Sequence, residues 1–497
     1  MTFHDIYILS PELSVIVLSF IILAINFITK KDTIAQSIAS IGLVIPIILS
    51  VILWMDMENG IVQNQGILKD SLKVDGFSIF LKFILLGAAE TVILLSTDYS
   101  KKFQNFQTEF IVLILLSTSG MMLMASTVEL ITIYIALELS ALPIAALATF
   151  LRSNKSSEAG LKFLVLSGVS SAILLYGMVL VYGFTGTTVL SEIASAINQG
   201  GLLGTQPFGN YALLLGITLI IAGFGFKITV VPFHMWAPDV YEGSPTPITA
   251  FLSVASKAAG FAIVLRVFHE AFQHDVLRVE WTMIFAILAA LSMTIGNLLA
   301  ISQSNIKRML AYSAVAHAGY LLVGLASLST NTITQGPHQG ISGILFYLGG
   351  YGVTNLAAFG SVIIISNSVG DNKISSFAGI GRKFPLTGGM LALALVSLIG
   401  IPPTVGFMVK LYLFGAAVDS GLAWLAVIGV LNSVLSAYYY LRVIKVMYLS
   451  SSDTEEPITA SIRTRLAITV STFLVMLFGI YPTPLIKIAQ SAAATLS

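Results

Sequence analysis

The chain has 497 residues, of which 56% are hydrophobic and only 10% charged, with a formal net charge of +1. Soluble domains carry about 25% charged residues, so this composition reads as an integral membrane protein, and so even a charge balance gives no footing for a nucleic-acid partner. Cysteine is absent, which excludes disulfides, thiolate metal sites, cysteine-ligated iron–sulfur clusters and covalent c-type haem on this chain.

A spanning helix needs roughly 20 mostly apolar residues. Fourteen such segments are predicted, starting near residues 11, 33, 74, 109, 128, 158, 210, 246, 281, 307, 340, 386, 421 and 465. No basic stretch precedes the first, so it reads as a span and not as a cleaved signal. The predicted fold is therefore an all-α polytopic membrane protein, one membrane domain over 1–497. Connections are short, the longest expected from about Met55 to Lys73. Of 25 Lys and Arg residues, fifteen (Lys30 and Lys31 among them) fall on one side, five on the other and five inside helices. The positive-inside rule puts the fifteen in the cytoplasm, with both termini on the opposite side.

Charges inside the helices need a physical reason, because intramembrane ionisable groups are costly and mark ion or proton pathways by default. In chain order they are Lys82 and Glu90, Glu138, Lys162, Lys227, Lys257 and Lys410. Lys82 and Glu90 share the third helix and fit simple contacts with neighbouring helices or a partner. Glu138 lies about ten residues into the fifth helix, roughly 15 Å deep. It fits an interhelical ion pair or a proton-pathway carboxylate. Lys162 sits one turn into the sixth helix, where it either snorkels to the interface or joins the pathway. Lys227 precedes Pro232, which favours a kink or break. Lys257 lies mid-helix among Ser253, Ala255, Ser256, Ala258, Ala259 and Gly260, small residues that suit close packing and leave no room to snorkel. A Glu⁻–Lys⁺ pair about 6 Å apart at an effective dielectric near 20 is coupled by roughly 3 kcal/mol, enough to make a buried lysine a switchable proton carrier. Six histidines, at 4, 234, 269, 274, 317 and 338, lack metal-ligand spacing. His317 is expected among small residues, as a satisfied core histidine or a proton relay. His234 is expected at the cytoplasmic end of the seventh helix.

Lys410 follows Pro402, Pro403 and Gly406, as a second interrupted helix with its own lysine. The seventh and twelfth helices are five apart, so they run in opposite directions. Paired interrupted helices in the two halves point to inverted repeats with sites near the midplane. The repeats are expected at about 109–270 and 281–449, preceded by three helices at 11–97 and followed by a last helix at about 465–487.

The segment VPFHMWAPDVYEGSPTPITAFLSVASKAAGFA resembles the central signature of the subunit N family of NADH:quinone oxidoreductase, respiratory complex I. QSNIKRMLAYSAVAHAGYLL, YLGGYGVTNLAAF, FAGIGRKFPL, SLIGIPPTVGFMVKLYLF and the N-terminal LSPELSVIVLSFIILAINF are similar too. The resemblance implies an antiporter-like subunit of fourteen helices with two inverted five-helix repeats. It implies proton translocation coupled to quinone reduction elsewhere in the complex, with Glu138, Lys227, Lys257 and Lys410 at the matching positions and Lys162 and His317 beside them. It places quinone, FMN and iron–sulfur clusters on partner subunits and none on this chain. The implied partners are other antiporter-like and small membrane subunits in a cell inner membrane. PDVYEGSPTPITAF resembles type N more than type M, and the absence of a long helix after Ser497 speaks against type L. Ser244 and Val409 depart from the family pattern, the first standing for alanine and the second for a small residue beside Lys410.

Three functions fit these residues. The first is a proton-translocating subunit without a redox centre of its own. The second is a subunit of a multi-subunit sodium/proton antiporter, and the third is a non-conducting scaffold.

Overall fold

The computed structural model describes residues 2–29, 32–62, 66–103, 106–199, 207–329, 338–451 and 460–496. Lys30 and Lys31 lie outside them. The crossing elements are α1 (Ser10–Thr29), α2 (Ile34–Glu58), α3 (Gly76–Tyr99), α4 (Gln107–Ser126), α5 (Leu130–Ala148), α6 (Asn154–Thr185), α7a (Pro207–Lys227), α8 (Thr246–Ala271), α9 (Asp275–Ile301), α10 (Ile306–Ala326), α11 (His338–Val369), α12a (Pro385–Ile399), α12b (Val405–Asp419), α13 (Ala423–Leu449) and α14 (Ile462–Ile480). Among the described residues, twelve are long and apolar enough to span alone; the seventh and twelfth crossings are broken. Every observed start lies close to the predicted one. A short helix, α7b (Trp236–Gly243), completes the seventh crossing.

Two boundaries differ from expectation. The connection expected from Met55 to Lys73 runs from Glu58 to Gly76, and it is shorter than that from Thr185 to Pro207, whose described residues include a helix at Leu190–Gln199. The last span stops at Ile480, and Pro482 turns the chain into a separate helix at Thr483–Ala493, since proline cannot extend the preceding hydrogen-bond ladder.

Helix starts follow local capping chemistry. Asp75 and Ser78 form a reciprocal capping box on α3. The Glu129 carboxylate accepts the Thr132 N–H of α5, Ser153 caps α6, and Asn305 accepts the Lys307 and Arg308 N–H groups of α10. Each side chain satisfies a donor that a helix end leaves orphaned.

The centre of the molecule is α8, buried from Thr246 to Phe268 and flanked by the nearly as deeply buried α10 and α11. The outer helices α1, α2 and α6 leave most of their apolar surface outward, as lipid-facing helices do. Because lipid supplies no hydrophobic drive between helices, close approach rests on small residues and polar contacts. At one end of α8, Arg266 is wholly buried. It holds Asp75 with two hydrogen bonds of 2.7 and 2.8 Å, Glu270 at 3.0 Å and the Ala125 carbonyl at 3.1 Å. One side chain thus ties α8 to α3 and α4. Lys82, also buried, pairs with Glu12 at 2.6 Å and pins α3 to α1. Both are interhelical anchors, as the contact reading of Lys82 expected.

Removing one partner of a buried ion pair leaves the other charge stranded. Arg266→Met is expected to lower stability by about 3–5 kcal/mol, and Asp75→Asn added to it should restore part of the loss. Thermal unfolding of the detergent-solubilised protein checks both.

Candidate functional site

The breaks place the site. α7a ends at Lys227, and the backbone then unwinds over 228–235, with Thr229 at φ 61°. Its freed groups find partners inside the protein. The Val231 N–H donates to Ser292 Oγ of α9 at 3.0 Å, and the Trp236 indole N–H donates to the Phe226 carbonyl at 3.1 Å. Non-helical backbone at membrane depth is tolerated where protein meets its polar groups in this way. The twelfth crossing breaks at Gly400, a left-handed C-cap with φ +90° that a residue with a side chain rarely adopts. An X-Pro bond in each break is cis, Val231–Pro232 and Pro402–Pro403.

Lys227 is buried and donates to Ser140 Oγ of α5 at 2.9 Å. Glu138, two residues earlier on α5, accepts from the Ser171 hydroxyl of α6. Glu138 and Lys227 are therefore not in ion-pair contact among the described residues; each is met by a serine. A small cleft between α5, α6 and α7a exposes Lys227, Ser170, Ser171 and Trp236, and reaches Ser256 on α8.

Lys257 follows Ser256. It is buried, donates to the Ala314 carbonyl of α10, and faces the ring of Tyr351 on α11 at 5.7 Å. The turn before it, Leu252–Ser256, is π-helical; such wide turns inside helices occur often at functional sites. Gly260, one turn on, lies against Lys227: a Cβ there would stand 3.3 Å from Lys227 Cγ and 2.8 Å from Ile228. Glycine is therefore what lets α8 pack against the Lys227 stem.

His317 on α10 is buried, with Nδ1 hydrogen-bonded to the Tyr347 hydroxyl at 2.7 Å. Its ring lies 4.9 Å from that of Tyr351 and 5.4 Å from that of Tyr320. A second small cleft, lined by His317, Tyr347, Tyr351, Val409 and Lys410, leads to α12b. Val409 packs against Gly350 there. Lys410 donates to the Leu398 and Ile399 carbonyls and to Ser433 Oγ, each at 3.0 Å, and faces the Tyr320 ring at 4.5 Å. Those carbonyls close α12a, so the ammonium sits on the negative end of that half-helix.

Lys162 is not brought to this row. It is partly exposed and pairs with Glu158 at 2.6 Å and with Asp239 of α7b at 2.7 Å. Asp239 also binds Arg308 of α10 at 2.5 Å. His234 lies in the unwound backbone of the seventh crossing, buried beside Tyr312, and not at an exposed interface. Glu90 lines an apolar cavity of about 660 Å³ between α3, α11 and α14, apart from the row.

Sequence reasoning missed Ser140, Ser171, Ser433 and the three tyrosines. Tyr347 and Tyr351 stand four apart in YLGGYG, a helical spacing that puts both on one face.

The profile of a family described as NADH:quinone oxidoreductase/Mrp antiporter, TM, matches residues 126–436. NADH-quinone oxidoreductase subunit N of Dehalococcoides mccartyi is 42% identical over 97% of this chain and 98% of its own length. The subunit N of Heliobacterium modesticaldum is 45% identical over 85% of this chain and 86% of its own. Among solved structures, a chain of Thermus thermophilus respiratory complex I superposes with a TM-score of 0.77 at 29% identity, covering 96% of this chain and 98% of that one. A chain of the Mrp complex from Dietzia sp. DQ12-45-1b shares the fold, with a TM-score of 0.84 at 20% identity over 100% and 98% of the two chains.

The Lys227–Ser140 bond is testable by itself. Ser140→Ala removes the hydroxyl acceptor from a buried ammonium, and should cost roughly 1–3 kcal/mol, read as a lower unfolding temperature with unchanged helix content by circular dichroism.

Proposed function

The chain belongs to the transmembrane family of NADH:quinone oxidoreductase and Mrp antiporter subunits, with the NADH-quinone oxidoreductase subunits N, and on that premise we propose that protons cross it along the row Glu138, Lys227, Lys257, His317, Lys410. It is a multi-pass, proton-translocating membrane subunit of a complex I-type enzyme and assembles with other membrane subunits. The relatives named subunit N favour this over the sodium/proton antiporter, to which the likeness is one of fold.

One observation carries the reading. Three buried lysines and a buried histidine lie on successive elements α7a, α8, α10 and α12b. They are met by hydroxyls, carbonyls and rings, and no carboxylate forms an ion pair with them among the described residues. A lysine neutralised by a tight ion pair is held in one state. A lysine held by neutral dipoles responds to each change of charge beside it. Glu138 gives the row its acidic end, set off from Lys227 by Ser140 and Ser171. Lys162 and Asp239, half open to solvent, form the approach from the cytoplasmic side.

The Lys and Arg asymmetry supports a cytoplasmic position for the loops after odd-numbered helices and a non-cytoplasmic position for both termini, in a cell inner membrane. Quinone, FMN and iron–sulfur clusters are assigned to partner subunits. The energy of quinone reduction there reaches this chain as a displacement of charge at one end of the row.

In the assembled complex, Lys257→Ala is expected to lower proton pumping and coupled quinone reductase activity severely, and Glu138→Gln to lower protons per electron more mildly. Reconstituted vesicles measure both; normal pumping by an intact Lys257→Ala complex would remove the row as the route. Lys373→Cys, in a chain without cysteine, should react with a membrane-impermeant maleimide only from the cytoplasmic side, and labelling from the opposite side would invert the topology.

A further inference from the structure

Resting on the proton route above, we compare how the three buried lysines of the row are compensated. Lys227 has an acid nearby: Glu138 and the Lys227 acceptor Ser140 share a turn of α5. Lys257 in the first repeat and Lys410 in the second have no carboxylate within ion-pair distance among the described residues. Uncompensated ammonium groups away from water are strongly unfavourable, so the charge needs another stabiliser.

The structure offers the same pair of groups at both lysines. One is backbone carbonyl: Ala314 for Lys257, and Leu398 with Ile399 for Lys410. The other is the face of a buried tyrosine: Tyr351 at 5.7 Å from Lys257 Nζ, and Tyr320 at 4.5 Å from Lys410 Nζ. Both distances lie inside the roughly 6 Å over which a ring quadrupole attracts a cation. The two rings also bracket His317, at centroid distances of 4.9 and 5.4 Å. The order through the protein is lysine, ring, imidazole, ring, lysine.

We propose that Tyr351 and Tyr320 are positioning residues that stand in for the missing counter-ions, their ring faces stabilising the charged forms of Lys257 and Lys410 while His317 between them stays uncharged until a proton passes. A ring face attracts an ammonium and has much less hold on the neutral amine. It therefore favours a resident proton at each lysine without trapping it as a carboxylate would. It also carries no charge of its own, so the passage of a proton through His317 meets no fixed anion on either side. The tyrosine hydroxyls are not required for this role; the faces are.

The test uses the assembled complex in proteoliposomes. Tyr351→Phe and Tyr320→Phe keep the ring face and should pump within about twofold of the parent. Tyr351→Leu and Tyr320→Leu keep apolar bulk and lose the face, and should pump roughly two- to thirtyfold more slowly, the range that a cation–π contact spans. Ring-fluorinated phenylalanines at 351 and 320 preserve shape and drain the quadrupole. Pumping should fall step by step with each added fluorine, and this series decides the matter if the leucine variants fail to assemble. Leucine variants as active as the phenylalanine ones, phenylalanine variants as impaired as the leucine ones, or a flat fluorine series would each overturn the proposal. Lys257→Ala and Lys410→Ala run alongside. Normal pumping by these removes the route itself, whereas their failure beside neutral ring variants removes only the role of the rings.

Discussion

A charged group at bilayer depth must be met by the protein, because lipid offers neither water nor counter-ion. The structure meets this constraint in two different ways. Where permanence is wanted, it uses opposite charges in direct contact, as Arg266 with Asp75 and Lys82 with Glu12. Along the central row it uses neutral dipoles, from Ser140, the carbonyl of Ala314, the end of α12a and two ring faces. The first kind joins helices. The second leaves the ammonium responsive to its surroundings.

The broken helices follow from the same constraint. The last carbonyls of a helix have no partner in its own ladder and are free to meet a lysine. Ending α12a at Gly400 releases the carbonyls of Leu398 and Ile399 to Lys410. Ending α7a at Lys227 lets that side chain leave the helix end toward α5. The two breaks are thus used in opposite senses, one supplying acceptors and the other freeing the donor. A charged cluster, Lys162–Asp239–Arg308, ties α6, α7b and α10 across the two halves at one end.

Much of this is legible in the sequence, for reasons that differ from residue to residue. Spans are read from length and hydropathy, which is why all fourteen starts are close. The breaks are announced by Pro232, Pro402 and Pro403, and the deep charges by their rarity in apolar runs. Contacts across helices are less accessible. Glu138 and Lys227 are both charged and deep, but the hydroxyls each one meets, of Ser171 and Ser140, are set by the fold. Lys162 fitted either the interface or the pathway, and its place one turn into α6 pairs it with Glu158 and Asp239. His234, expected at the end of the seventh helix, lies buried in its unwound backbone. The tyrosines gave no signal of their own, since an aromatic residue in an apolar helix is ordinary until the fold shows which cation lies over its face.

The wide turn at Leu252–Ser256 has a further meaning for how α8 is addressed. A π-turn holds about one residue more than an α-turn, and one residue of an α-helix corresponds to about 100° of rotation. Everything beyond residue 256 is therefore out of phase with everything before 252. Lys257 points toward α10 and α11 by counting from the bulge, not from Thr246. The helix behaves as two rotors joined out of register, and the central lysine is the first residue of the second.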